Sequence, residues 1–143
     1  MTIKDLSERQ PPQTKLDPAT IVFGKTFAPN MFICEYAEGR WQNARIEPVS
    51  AFSLHPASLV FHYAQSIFEG LKAFRQTDGS VALFRPEKNA KRFHDSAVRM
   101  CMPPVDDELF LSALTELVRV EEGYVPEAPG SLYLRPVMMG TEP

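Results

Sequence analysis

Cysteine is scarce in this chain. Cys34 and Cys101 stand far apart, with no CxxC spacing and no partner cluster. That argues against a disulfide framework and a cysteine-based zinc site, and points to a reduced, cytoplasmic setting. Histidine is nearly as rare, and His55, His62 and His94 have no metal-ligand spacing, so they read as structural. An excess of positive charge is also missing. The formal net charge is −3, which speaks against a general affinity for nucleic acid or anionic membrane. No apolar run is long enough to span a bilayer, and the opening "MTIKDLSERQPPQTK" has no apolar segment of the signal-peptide kind. Neither a GxGxxG nor a Walker loop is present.

What the chain does have is proline, 13 in 143 residues, within a composition that is 44% apolar. The apolar content suits a packed domain, or one half of a larger enzyme. The prolines predict short elements and frequent turns rather than a helical bundle. Residues 1–20 are polar and carry Pro11, Pro12 and Pro18, and read as a flexible N-terminal arm. "MFICEYA" (31–37) and "WQNARIEPV" (41–49) suit a hairpin across Glu38-Gly39. Pro56 breaks the segment that follows, and a short helix fits after it. "LKAFR" (71–75) and "VALFR" (81–85) suit a second hairpin turning at Asp78-Gly79.

Two helices come next. One is expected over 86–102, with Pro86 at its first position and Pro103-Pro104 ending it. The other is expected over 106–123, with acidic residues at its start and Gly123 at its stop. "SLYLRPVMMG" (131–140) reads as the last strand. Strands, two consecutive helices and a strand make an α+β fold with a mainly antiparallel sheet. The chain stops just past that strand, as a cut through a longer protein would.

At roughly 100° per residue, Ala90, Phe93, Ala97, Met100 and Cys101 share one face of the first long helix, and Arg92, Ser96 and Arg99 lie opposite. By pattern Arg92 and Arg99 belong to a solvated face, although a guanidinium fork also suits phosphate or carboxylate. Alternation in "SLYLRP" places Tyr133 and Arg135 on one side of the strand, where they could hold a carboxylate or simply face water. In "QSIFEGLKAFR" (65–75), Glu69-Gly70 put a carboxylate and a flexible joint at a strand entrance. Glu69 reads there as an acceptor for backbone N–H groups.

Three long segments, "HPASLVFHYAQSIFEGLKAFR", "LFRPEKNAKRFHDSAVRMCMP" and "SLYLRPVMMGTEP", together resemble the N-terminal half of branched-chain amino acid aminotransferases. These are pyridoxal-phosphate enzymes of the class IV group, whose small domain shares the D-amino acid aminotransferase-like fold. The likeness runs from about residue 21 to the end, so it implies a small domain over 21–143. It makes Arg92 the residue that grips the phosphate of pyridoxal 5'-phosphate. It places Tyr133 and Arg135 on the substrate-recognition strand, and Phe23, Tyr63, Phe68 and Gly70 around the substrate pocket. In some members the tyrosine matching Tyr63 serves the neighbouring subunit's site.

The family's Schiff-base lysine lies in a second, larger domain. None of Lys4, Lys15, Lys25, Lys72, Lys88 and Lys91 stands in its motif, so no catalytic residue is expected in this chain. The resemblance further implies transfer of the amino group of leucine, isoleucine or valine to 2-oxoglutarate, in a homodimer. Two relatives of the same fold, the D-amino acid aminotransferases and the aminodeoxychorismate lyases, remain alternatives, as does a non-catalytic domain that kept the fold.

Overall fold

In the computed structural model, residues 1–8, 17 and 19–143 are described. The elements in chain order are β1 (Lys4–Asp5), β2 (Asn30–Ala37), β3 (Arg40–Pro48), α1 (Leu59–Tyr63), β4 (Ser66–Phe68), β5 (Leu71–Arg75), β6 (Val81–Leu83), α2 (Pro86–Arg99), α3 (Asp107–Val120), β7 (Leu132–Leu134) and β8 (Val137–Met139). Both expected hairpins form. β2 and β3 turn at Glu38 (φ 54°) and Gly39 (φ 76°), the paired left-handed residues that match the twist of a tight hairpin. β5 and β6 turn at Gly79 (φ 86°), with the Asp78 carboxylate accepting from the backbone N–H of Ser80 at 2.9 Å. β6 is shorter than expected: Phe84 is exposed and Arg85 takes a left-handed φ of 49° just before Pro86 opens α2.

The strands form three small sheets, ordered β1-β3-β2, β4-β8 and β6-β5-β7. All pairs are antiparallel except β1 with β3. The arm expected over 1–20 is therefore tied down at its start, where Lys4 and Asp5 run along Arg45 and Ile46 and Leu6 donates to the Ile46 carbonyl at 2.8 Å. The arm's prolines lie outside the described residues, as does the rest of residues 9–16.

The core forms where α2 and α3 cover the sheets. Ala90, Phe93 and Ala97 of α2 and Leu109, Phe110, Leu114 and Val118 of α3 are buried against Ile67, Leu71, Ala73, Leu134 and Met138. The Phe93 and Phe110 rings lie 5.3 Å apart. Each buried side chain of this size contributes roughly 1.5–3 kcal/mol. Asp106 caps α3 by accepting from the Leu109 N–H at 2.7 Å.

Both helices end earlier than expected. α2 stops at Arg99, and Cys101 turns the chain through a φ of 54°. Met100 and Cys101 are therefore exposed, and Met102 packs into the core in their place. α3 stops at Val120, and Gly123, the residue expected to end it, lies within a 3-10 turn over Glu122–Tyr124.

The expected last strand is two strands. β7 pairs with β5 and β8 pairs with β4, with Arg135-Pro136 between them. The register does not slip across the break: Phe68 faces Val137 on one side and Leu71 faces Leu134 on the other. One long antiparallel ladder is thus opened at Glu69-Gly70 and Arg135-Pro136. Proline has no N–H to donate into the ladder, while the Pro136 carbonyl still accepts from the Glu69 N–H at 2.9 Å.

Candidate functional site

The break in the ladder is where the candidate side chains meet. Arg135 donates to the Tyr133 hydroxyl from Nε at 3.2 Å and from Nη2 at 2.8 Å. The two side chains meet, as expected, although Arg135 lies just past the end of β7 rather than on it. The Arg135 guanidinium also lies over the Phe68 ring, 4.4 Å from its centre, a favourable cation–π placement. The Phe23 ring meets Tyr133 edge-on at 5.2 Å. Gly70 completes the group by absence: a Cβ there would collide with the Tyr133 hydroxyl. Phe23, Phe68, Gly70, Tyr133 and Arg135 therefore form one cluster, fed from the N-terminal segment, β4, the open joint and β7.

Phe23 is 76% exposed and Phe68 63%. The cluster is an accessible surface, apolar on the phenylalanine side and hydrogen-bonding on the Tyr133–Arg135 side. Such a surface can take a ligand with an apolar body and a carboxylate.

Arg92 projects from α2 to the same joint. Its Nε and Nη2 donate to the two Glu69 carboxylate oxygens at 2.9 and 2.8 Å. Glu69 is also held by Asn89, whose Nδ2 donates to Oε2 at 2.8 Å and to the Gly70 carbonyl at 3.2 Å. The expected role of Glu69 is thus corrected. Among the described residues its only backbone contact of this kind is a long one from the Gly70 N–H at 3.4 Å, and its principal partners are side chains. Burial alone pushes the Glu69 carboxyl up, but the bonds from Arg92 and Asn89 and the Arg92 charge outweigh it and bring it below the usual range. The same pairing raises Arg92 further.

Asn89 escaped the sequence reading. A signal for it exists: Asn89 lies beside Ala90 and one turn before Phe93, so a polar amide enters the edge of an apolar stripe and demands a partner.

Tyr63 is not brought into the cluster. It is 75% exposed, tilts against His62 with ring centres 6.4 Å apart, and lines an open hollow of about 310 Å³ with Leu59, Gln65 and Met100. The histidines have backbone partners. His62 Nε2 is 2.9 Å from the Pro56 carbonyl, and His55 Nδ1 accepts from the Ala57 N–H at 3.1 Å.

No family model matches the chain. Individual proteins do. Branched-chain-amino-acid transaminase 1 of Bacillus subtilis is 51% identical over 131 residues, 90% of this chain and 37% of the relative. The chain is homologous to the branched-chain aminotransferases. The Mycobacterium tuberculosis branched-chain-amino-acid aminotransferase is 46% identical over 124 residues, covering 85% of this chain and 34% of the relative. The cytosolic branched-chain-amino-acid aminotransferase of Caenorhabditis elegans is 42% identical over 130 residues, covering 90% and 31%. This aminotransferase-related chain thus spans about a third of the length of the relatives it matches. Among solved structures, the branched-chain amino acid aminotransferase of Thermobaculum terrenum in its PLP form superposes with a TM-score of 0.51. The identity is 24%, over 65% of this chain and 29% of that one. The α+β aminotransferase fold is therefore shared.

Proposed function

We propose that this chain is the substrate- and phosphate-binding small domain of a branched-chain amino acid transaminase. In that enzyme the amino group of leucine, isoleucine or valine passes to 2-oxoglutarate with pyridoxal 5'-phosphate. The observation that carries the reading is the meeting of Phe23, Phe68, Tyr133 and Arg135 around Gly70, next to Arg92, in a chain whose relatives are named for this reaction.

The residues fit the cofactor's phosphate. A guanidinium has five N–H donors, and Glu69 engages two N–H groups of Arg92. Among the described residues Nη1 has no partner, and the side chain is 59% exposed. The remaining donors form an edge that suits a phosphate. Bound there, pyridoxal phosphate would act as the electron sink of the reaction. The residues here bind and orient. Phe23 and Phe68 supply an apolar wall for a branched side chain, worth roughly 1.5–3 kcal/mol when it is buried. Tyr133 and Arg135 supply donors for a substrate carboxylate. Tyr63, exposed and apart from the cluster, is assigned to the pocket of a partner subunit in a cytoplasmic homodimer.

The test uses the intact protein that carries this sequence. Leucine, isoleucine and valine should be transaminated with 2-oxoglutarate, and D-alanine should not. Arg92→Ala should weaken retention of pyridoxal phosphate by about tenfold or more, the loss of one charge-assisted bidentate contact. Preference for D-alanine, or unchanged cofactor affinity in Arg92→Ala, would refute the assignment.

A further inference from the structure

Glu69 is given no contact with substrate or cofactor in the reading above, yet it holds Arg92, Asn89 and the Gly70 N–H at the open joint. We infer that Glu69 is the positioning residue for the anion anchor: it locks one edge of the Arg92 guanidinium so that the other edge stays aimed at a phosphate. The inference rests on the proposed role of Arg92 and deepens it.

An arginine on an exposed helix face has several free torsions. Ordering such a side chain at the moment of binding costs affinity. Here the ordering is done beforehand. The bidentate contact at 2.9 and 2.8 Å fixes the guanidinium plane as well as its position. It consumes Nε–H and one N–H of Nη2. Both N–H groups of Nη1 and the second of Nη2 remain, and one from each nitrogen forms the terminal edge of the fork.

The carboxylate can act as an anchor because it is itself immobile. Its side chain is only 10% exposed, and its backbone N–H is held by the Pro136 carbonyl at 2.9 Å. Asn89 braces it from α2 by bridging Oε2 and the Gly70 carbonyl. The open joint thus serves two sites at once. The Glu69 side chain reaches Arg92, and the next residue leaves the space that Tyr133 fills. The lowered Glu69 carboxyl keeps the pair ionised at neutral pH.

Charge counting predicts the opposite effect, which makes the inference testable. A carboxylate beside an anion site repels the anion, so removing its charge should tighten binding. If Glu69 acts by positioning, removing it should weaken binding. Inorganic phosphate is the probe, titrated into the cofactor-free intact protein. The reporter is the Arg92 Nε–H resonance in ¹⁵N NMR spectra.

Wild type should show a sharp, slowly exchanging Arg92 Nε–H signal before phosphate is added, and Glu69→Gln should lose it. Phosphate affinity in Glu69→Gln should fall about threefold to tenfold, the share set by ordering a rotamer-rich side chain on binding. Asn89→Ala, which changes no charge, should weaken phosphate in the same direction with a smaller effect, and the backbone amide spectrum reports folding of both variants. Equal or tighter phosphate binding in Glu69→Gln, or an unchanged Arg92 signal, would overturn the positioning role. Arg92→Ala separates the two claims: if it leaves phosphate affinity unchanged, the anchor reading falls and this inference with it. If it weakens phosphate while Glu69→Gln does not, only the inference falls.

Discussion

The space that Gly70 leaves empty is occupied by the Tyr133 phenol, which comes from the strand opposite. Gly70 is needed here for close approach, because the hydroxyl that accepts from Arg135 lies where a Cβ would stand. Gly70→Ala should therefore destabilise the fold by about 1–3 kcal/mol, the usual cost of overpacking. The same substitution in a Tyr133→Phe background should cost less, because the oxygen it strikes is gone. Urea unfolding of the four members of this double-mutant cycle measures the coupling, and additive effects would place the strain elsewhere. If the proposed function holds, Gly70→Val in the intact protein should also raise the KM for leucine, through the displaced Tyr133.

Elements were more legible than their ends. The turn residues at Glu38-Gly39 and Asp78-Gly79 and the apolar stripes of α2 and α3 are local signals, and each element they announce is present. Asp106 is another such signal, and Asp106→Ala should lower stability by about 0.5–2 kcal/mol as the Leu109 N–H loses its acceptor. A denaturation midpoint equal to wild type would show that water replaces the cap at no cost. The split of 131–140 into β7 and β8 was not legible. Pro136 removes one donor, and whether that ends a strand or only interrupts it depends on the partner strand. Here the partner opens too, at Glu69-Gly70, and the register resumes beyond it. The early end of α2 has the same kind of cause. Met102 competes with Met100 for a place in the core, and the winner is decided by the surface beneath.

At the scale of the whole molecule, two carboxylates separate the fold's response to acid. Glu121, at the end of α3, is 1% exposed. Its Oε1 accepts from the Asn30 N–H at 2.9 Å and from Asn30 Nδ2 at 2.6 Å, while Oε2 has no hydrogen-bond partner among the described residues. Asn30 also exchanges bonds with the backbone of Glu8, at 3.0 and 3.2 Å, so the contact ties the N-terminal segment, β2 and α3 together.

Burial raises the Glu121 carboxyl, against the two Asn30 bonds. Its contribution is complete below the unfolded value of about 4.3 and is lost as pH rises through the raised folded value. Glu69 behaves oppositely. Its carboxyl is lowered, so its contribution is complete above the unfolded value and is lost as pH falls through the folded one. Glu121→Gln should therefore stabilise the protein by about 1 kcal/mol at pH 8, a part of what a buried unsatisfied charge costs. The gain should vanish below about pH 4.3. Thermal melts of both proteins across this range check it, and a constant difference at all pH values would mean that Glu121 does not titrate with folding.

The sequence by itself determined the class of fold, both hairpins, the two long helices and, through its resemblance, the residues that cluster at the open joint. It could do so because turn chemistry, helix caps and apolar periods act over a few residues. Only the tertiary structure decided that Glu69 holds Arg92, that Asn89 braces Glu69, that Tyr133 needs Gly70, and that Tyr63 stands apart. Those pairings join residues from separate elements, and their partners are set by how helices and sheets pack rather than by any local preference of the chain.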